Sequence, residues 1–302
     1  MLFHQDRLSL GIVLPAQART HADIQFPTQL ATAAHADNLG FDALWVRDVP
    51  LNSESYPDPI GHADPWVFLG ALAAATSQIH LATGAIVLPL RHPLHIAKAA
   101  LSVAALSKGR FVLGLGSGDR PSEYEIFGRD VENRKTLFQS RWDRLAAALR
   151  PDQTVTDEGG NVREEFSIRP ALQQAAIPMV AVGSSAQSLE WIARHAAGWM
   201  TYYRPLPVQK DRLALWHYAQ LKITTEFRGF GQSMVLELLD KPDAIYEEIN
   251  LGARSGRRAL IGTLSAMREA GIHHVAFNLI SDKRPPAEVM EEIAAEVMPA
   301  LR

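Results

Sequence analysis

Short apolar runs alternate along this chain with longer segments whose apolar positions recur every three or four residues. Leu8–Leu14 reads as a strand, closed by Pro15. Pro27-Thr28 opens a helix that runs to about Leu39, where Gly40 suits a helix end. Ala43–Val46 is a second strand. Asp64-Pro65 pairs an N-cap with proline at the first helical position, and Trp66, Phe68, Leu69, Leu72 and Ala75 follow at helical spacing. Ile79–Leu88 is apolar on both faces, as a buried parallel strand should be. The rhythm continues with a helix at His95–Ser107, a strand at Phe111–Leu115 and a helix at about Thr136–Leu149. Strands at Pro178–Val182 and Trp199–Thr201 are followed by helices at Ser184–Ala196 and Val208–Glu226. Ser233–Glu237 is a candidate seventh strand. A helix at Ala259–Ala270, a strand at His274–Leu279 and a helix at Ala287–Val297 complete the pattern.

Eight strands alternating with helices predict an α/β fold, a (β/α)8 TIM barrel with loop insertions; a doubly wound sheet is the alternative. No composition break reads as a linker, so residues 1–302 are expected to form one domain, with insertions at about 150–178 and 238–258. Gly159-Gly160 in the first insertion suits a short hairpin. In such a barrel the ligand meets the segments that follow the strands. Here these are Ala16-Gln17, Arg47-Asp48, Leu88–His92, Gly116–Arg120, Gly183–Ser185, Tyr202–Arg204, Leu238–Arg258 and Ile280–Asp282.

Composition removes alternatives. The 302 residues are 47% hydrophobic, enough for a large core, and the net charge of −3 leaves no footprint for nucleic acid. The absence of cysteine excludes disulfides, thiolate metal sites and cysteine nucleophiles. The start of the chain lacks a basic segment followed by a long apolar one, and the apolar stretches are too short to span a bilayer, so a cytoplasmic protein without membrane contact is expected.

Two strand-end segments could hold a phosphate. In Val182-Gly183-Ser184-Ser185-Ala186-Gln187 a strand gives way to a helix start, where free amides and two hydroxyls suit an anion. The competing reading is that Ser184 merely caps the helix, with Gln187 completing a capping box. Gly114-Leu115-Gly116-Ser117-Gly118-Asp119-Arg120 lets a ligand lie against the backbone, and Arg120 could pair with a phosphate; a tight turn with a surface arginine is the alternative. The spacing is not a dinucleotide fingerprint, because Asp119 stands where the third glycine belongs. Gly84, inside a strand, marks a close approach by a flat ring or a packing requirement. His92 is a candidate donor, whereas His95 and His273 read as cap or surface residues. Asp48, at the end of the second strand, is the best-placed carboxylate. No His–carboxylate cluster falls at several strand ends, so no metal is expected. The alanine-rich helices at Trp66–Ala75 and Ile96–Leu106 suit close packing, in a homodimer or on the barrel.

Taken together, these segments resemble the bacterial luciferase-like flavin oxidoreductases. The carriers are Leu39–Asp48 (LGFDALWVRD), Ile86–Pro93 (IVLPLRHP), Leu106–Phe111 (LSKGRF), Gly114-x-Gly116-Ser117-Gly118, Phe127-Gly128 and Gly183–Ser188 (GSSAQS). The resemblance implies a barrel that binds FMN, or the deazaflavin F420, at the mouth. It implies a phosphate held by Gly183, Ser184, Ser185, Ser117 and Gly118, with Arg120, and an isoalloxazine ring beside Thr83, Gly84 and Ala85. It also implies a non-prolyl cis peptide at about Gly84–Ala85 and a mobile lid at Leu238–Arg258. Luciferases carry a histidine where this chain has Asp48 and a reactive cysteine near Gly116, so light emission is not expected. The expectation is a flavin-dependent monooxygenase that uses reduced FMN and O2 on a small organic substrate, with a flavin reductase as a partner and Asp48 and His92 near the ring edge as a proton-handling pair or substrate anchors. Oxygen-independent hydride transfer with F420 or FMN, and a non-catalytic flavin-binding barrel, are the alternatives.

Overall fold

The alternating pattern folds into a closed parallel barrel. The computed structural model describes residues 2–17, 22–56, 58, 60–171, 176–279 and 283–301. In chain order the strands are β1 (Ser9–Leu14), β2 (Ala43–Val46), β3 (His80–Thr83), β4 (Ile86–Val87), β5 (Phe111–Gly116), β6 (Met179–Val182), β7 (Gly198–Tyr202) and β8 (Gly229–Leu238). A hairpin of β9 (Glu247–Ile249) and β10 (Gly252–Ser255) precedes the last barrel strand, β11 (His274–Leu279). β3 and β4 are two pieces of one barrel strand, interrupted at Gly84-Ala85; both pair with β5. β11 closes the ring, pairing with β8 on one side and β1 on the other.

The helices are α1 (Phe26–Leu39), α2 (Pro65–Ala75), α3 (Pro93–Leu106), α4 (Pro121–Ile126), α5 (Arg134–Ala148), α6 (Leu189–His195), α7 (Leu206–Ile223), α8 (Arg257–Glu269) and α9 (Pro286–Glu292). Local chemistry sets their ends. Asp64 Oδ1 accepts the amides of Trp66 and Val67 at 3.0 and 3.2 Å, with Pro65 behind it. α1 stops at Gly40, whose φ of 83° few other residues adopt.

Strand side chains alternate between two cores. Leu10, Ile12 and Leu14 point outward to the helices, as do Phe230 and Phe277. Val13, Trp45, Val112, Val180, Met200 and Ala276 fill the barrel interior, joined by Leu2 and Phe3 from the N-terminal segment. Phe3 is 5% exposed and plugs the floor; a Cβ on Gly229 would lie 2.2 Å from its ring. Burying such a ring stabilises the fold by about 2 kcal/mol.

Three expectations change. The 238–258 segment, expected as an insertion without regular structure, holds strands: β10 pairs in parallel with the upper half of β8 and antiparallel with β9. Arg254 bonds Glu237 at 2.8 Å and Tyr203 meets Tyr246 at 2.8 Å, which ties the insertion to β8 and to the segment after β7. Among the described residues of the 150–178 insertion, the hairpin reduces to one antiparallel bridge, Thr156 to Val162. α6 begins at Leu189 rather than Ser184, because Gly183, Ser185 and Ala186 have φ of 68°, 48° and 55°, which a helix cannot contain. The strand-end segment Ile280–Asp282 lies outside the described residues.

Candidate active site

The C-terminal ends of the strands form the barrel mouth, and small residues line one side of it. The Gly84–Ala85 peptide is cis, where the resemblance located it. Gly116 and Ala85 face each other so closely that a Cβ on Gly116 would lie 3.2 Å from that of Ala85. Gly118 has φ of 77°, and a Cβ there would lie 2.9 Å from Val87, so no other residue fits without strain. Thr83 does not offer its hydroxyl to the mouth. It is fully buried, donates to the Gly114 carbonyl and accepts the Gly114 amide, both at 2.8 Å, and so stitches β3 to β5.

Two turns lie side by side at the ends of β5 and β6. Among the described residues, the amides of Ser117, Gly118, Ser184 and Ser185 have no hydrogen-bond partner. Successive amides in a turn that mixes left- and right-handed residues form a concave anion site. Ser184 is exposed and its hydroxyl accepts the Ala186 amide at 3.3 Å. Ser185 is 1% exposed, and its hydroxyl is directed to the carbonyls of Val182 and Leu115 at 3.0 and 3.3 Å. The helix cap is Ser188, which accepts the Trp191 amide, and Gln187 reaches across to Gln139 and the Lys135 carbonyl. The amides of the Ser184 turn are therefore not consumed by a capping box.

The charged groups of the mouth are mostly paired. Asp48 accepts Arg91 Nε at 2.8 Å and Nη2 at 2.7 Å, and the Val87 amide at 3.1 Å. Its side chain is 1% exposed and takes three of these bonds, so it anchors the segment after β4. His92 stands apart from Asp48. It caps α3 through Nδ1, which accepts the Leu94 amide at 3.3 Å, and its Nε2 meets Glu158 at 3.1 Å. The two residues expected to work as a pair are thus not brought together. Arg120 is also committed elsewhere: it bonds Asp58, donates to the Leu51 carbonyl at 2.9 Å and lies over the Tyr56 ring.

Sequence reasoning missed the centre of this network. Asp58 sits between Arg47, at 2.7 Å, and Arg120, with His62 3.9 Å away. Burial pushes the Asp58 carboxyl up, but the bonds from His62 and Arg47 outweigh it and hold it well below the usual carboxylate range. Burial, helped by Arg47 and Arg120, keeps His62 neutral to lower pH than usual. Glu123, 5% exposed, is pushed up by burial. Tyr202, at the end of β7, meets Asp119 at 3.3 Å, and burial and that carboxylate push its hydroxyl up. The i, i+4 spacing of Asp58 and His62, and the place of Tyr202 at a strand end, were the available signals.

A groove of about 590 Å3 runs outside the mouth between α5 and the Thr156–Gly160 turn. Its charges are largely paired, as Glu158 holds both His92 and Arg144. Among the described residues no cluster of three or more His, Asp or Glu is placed to hold a metal ion, and no helix is long and apolar enough to cross a membrane.

A family model described as luciferase-like monooxygenase matches residues 8–251. An uncharacterised protein of Mycobacterium tuberculosis is 28% identical over 242 residues, covering 74% of this chain and 84% of the relative. Among solved structures, an F420-dependent secondary alcohol dehydrogenase in complex with an F420-acetone adduct superposes with a TM-score of 0.79 at 16% identity, covering 98% of this chain and 99% of that one. The oxygenating constituent of 3,6-diketocamphane monooxygenase of Pseudomonas putida, in complex with FMN, superposes with a TM-score of 0.76 at 16% identity, covering 97% and 98%.

Proposed function

The chain belongs to the luciferase-like monooxygenase family, and on that premise we propose that it is a flavin-dependent monooxygenase that uses reduced FMN and O2 on a small organic substrate. The observation that carries this reading is the pair of adjoining turns whose four amides have no partner, beside a floor of small residues. Ser117, Gly118, Ser184 and Ser185 would hold the phosphate through their amides, and the Ser184 hydroxyl would add a donor. Gly84, Ala85 and Gly116 leave room for a flat ring against the backbone. When bound and reduced, the flavin would supply the electrons for oxygen chemistry.

The rest falls to the side chains of the mouth. The Asp48–Arg91 pair holds the segment after β4 in place. Arg120, bonded to Asp58 and to the Leu51 carbonyl, ties the segment after β2 to the turn after β5. Tyr202, 47% exposed and bonded to Asp119, is the hydroxyl best placed to meet a substrate from the β7 side. The same reading takes a flavin reductase as the source of reduced FMN, and a cytoplasmic homodimer as the working form.

The likeness to the F420-dependent dehydrogenase, with its TM-score of 0.79, favours F420-dependent hydride transfer as a second reading. Mass identification of the chromophore that co-purifies decides between them. Saturating FMN is expected to raise the Tm, since a ligand that binds only the native state stabilises it. If neither FMN nor F420 shifts the Tm, the flavin reading fails.

A further inference from the structure

A chain of polar groups crosses the sealed interior of the barrel, below the mouth. Trp45 on β2 donates its indole N–H to His274 Nε2 at 2.8 Å. His274 on β11 meets the Ser9 hydroxyl on β1 through Nδ1 at 2.7 Å. Ser9 in turn lies 3.0 Å from the carbonyls of Leu2 and His273. The indole can only donate, so His274 Nε2 must accept. The proton then sits on Nδ1, which donates to Ser9 Oγ, and Ser9 donates to a carbonyl. Every group has a partner, and the chain fixes the tautomer of His274, with the Ser9 proton going to either carbonyl. Ser9 and His274 are fully buried and Trp45 is 3% exposed. Burial keeps His274 neutral, with its pKa lowered to about 3.

The barrel is shaped around these rings. A Cβ on Gly11 would lie 3.0 Å from the His274 imidazole, and one on Gly231 would lie 3.1 Å from His274 Cβ. At the upper end, a Cβ on Gly84 would lie 3.0 Å from Trp45 Cε3. The indole therefore fills the space beneath Gly84, and the chain of bonds fixes the indole. An apolar interior would hold a phenyl ring as well by area alone. A tryptophan tethered through its N–H has one orientation.

We propose that Trp45, oriented by His274 and Ser9, is a positioning residue that sets the height of the Gly84–Ala85 segment and thereby the fit of the flat ring above it. The second half of this statement rests on the flavin reading; the first does not. The test has two arms. In the ligand-free protein, amide hydrogen exchange of residues 83–87 is measured by mass spectrometry, with α7 as the distant reference. His274→Leu leaves the Trp45 N–H without an acceptor, and exchange at 83–87 is expected to rise about tenfold, the scale of one unmet buried donor. His274→Gln restores an acceptor and is expected to return exchange towards the wild-type rate. The double variant Trp45→Phe/His274→Leu removes the orphaned donor and is expected to exchange more slowly than His274→Leu alone. Unchanged exchange at 83–87 in His274→Leu, or a rise equal to that of α7, overturns the proposal. If His274→Leu does not fold, Trp45→Phe interrupts the chain from the other end and is read in the same way.

In the second arm FMN and F420 are titrated into the same proteins. Affinity for whichever binds is expected to fall about tenfold in His274→Leu and to recover in His274→Gln. Wild-type protein that binds neither flavin refutes the flavin reading, while the exchange arm still decides the role of Trp45.

Discussion

The floor of the barrel and its mouth treat polar groups in opposite ways. On the floor, Ser9, His274 and Trp45 are buried and bonded to one another, and Thr83 returns both of its bonds to Gly114. At the mouth, four amides of two neighbouring turns have no partner among the described residues. A buried polar group must be paired within the protein, whereas one at a rim can wait for a ligand. On the proposed reading, the floor is the rigid part and the mouth is where the flavin binds. It also separates residues of similar chemistry: Ser9 and Ser185 are used up internally, and Ser184 is free to face outward.

The strongest way to break this contrast is to crowd the floor. Gly114→Ala would place a Cβ 1.9 Å from the Thr83 carbonyl oxygen, a backbone atom that cannot turn aside. A loss of about 3 kcal/mol or more is expected in urea denaturation, at the upper end for overpacking. A loss below about 1 kcal/mol would show that the floor yields.

Acid probes the same region. His274 and His273 have pKa values lowered to about 3 and about 4, chiefly by burial, against about 6.5 when unfolded. The unfolded chain therefore binds more protons below about pH 6.5, and stability falls as the pH drops from there toward the folded values. His274→Gln lacks its share of this loss. Normalised to pH 7, it should be about 2 kcal/mol better off than wild type at pH 5. Parallel pH profiles would contradict a neutral His274.

At the mouth, Asp58→Asn takes the charge from between Arg47 and Arg120. Arg47 is 30% exposed, so solvent screens part of the effect, and about 1–2 kcal/mol is expected. Denaturation with proteolysis of the 49–60 segment measures it, and unchanged proteolysis would mean that Asp58 does not hold the segment. The smallest effect belongs to His92→Ala. Its partner Glu158 is 82% exposed, and a change under about 0.5 kcal/mol is expected, with FMN affinity unaltered. A lost FMN signal would return His92 to the site.

The barrel was legible because its signals are local. The strands at Ala43–Val46 and His274–Leu279 fall where alternation and turn residues put them. β8 begins four residues before the expected Ser233, at Gly229, because Gly229 and Gly231 lower strand propensity while serving Phe3 and His274. The 238–258 hairpin was missed because its register depends on β8, not on its own sequence. At the site, the glycine- and serine-rich turns were readable as backbone features. The ion pairs were not: Asp48 and Arg91 are 43 residues apart, and Arg120 and Asp58 are 62 apart. Nothing in a linear pattern says that Arg120 will meet Asp58 before it can meet a phosphate.

The central claim, that the paired turns at the ends of β5 and β6 receive the phosphate of a flavin, is tested most directly by calorimetric titration of one protein with FMN and with riboflavin, which lacks the phosphate. The account predicts that wild type prefers FMN by about tenfold or more, the scale of charge-assisted hydrogen bonds, and that Ser184→Ala narrows the preference. Equal affinity for FMN and riboflavin, or a preference untouched by Ser184→Ala, would contradict it.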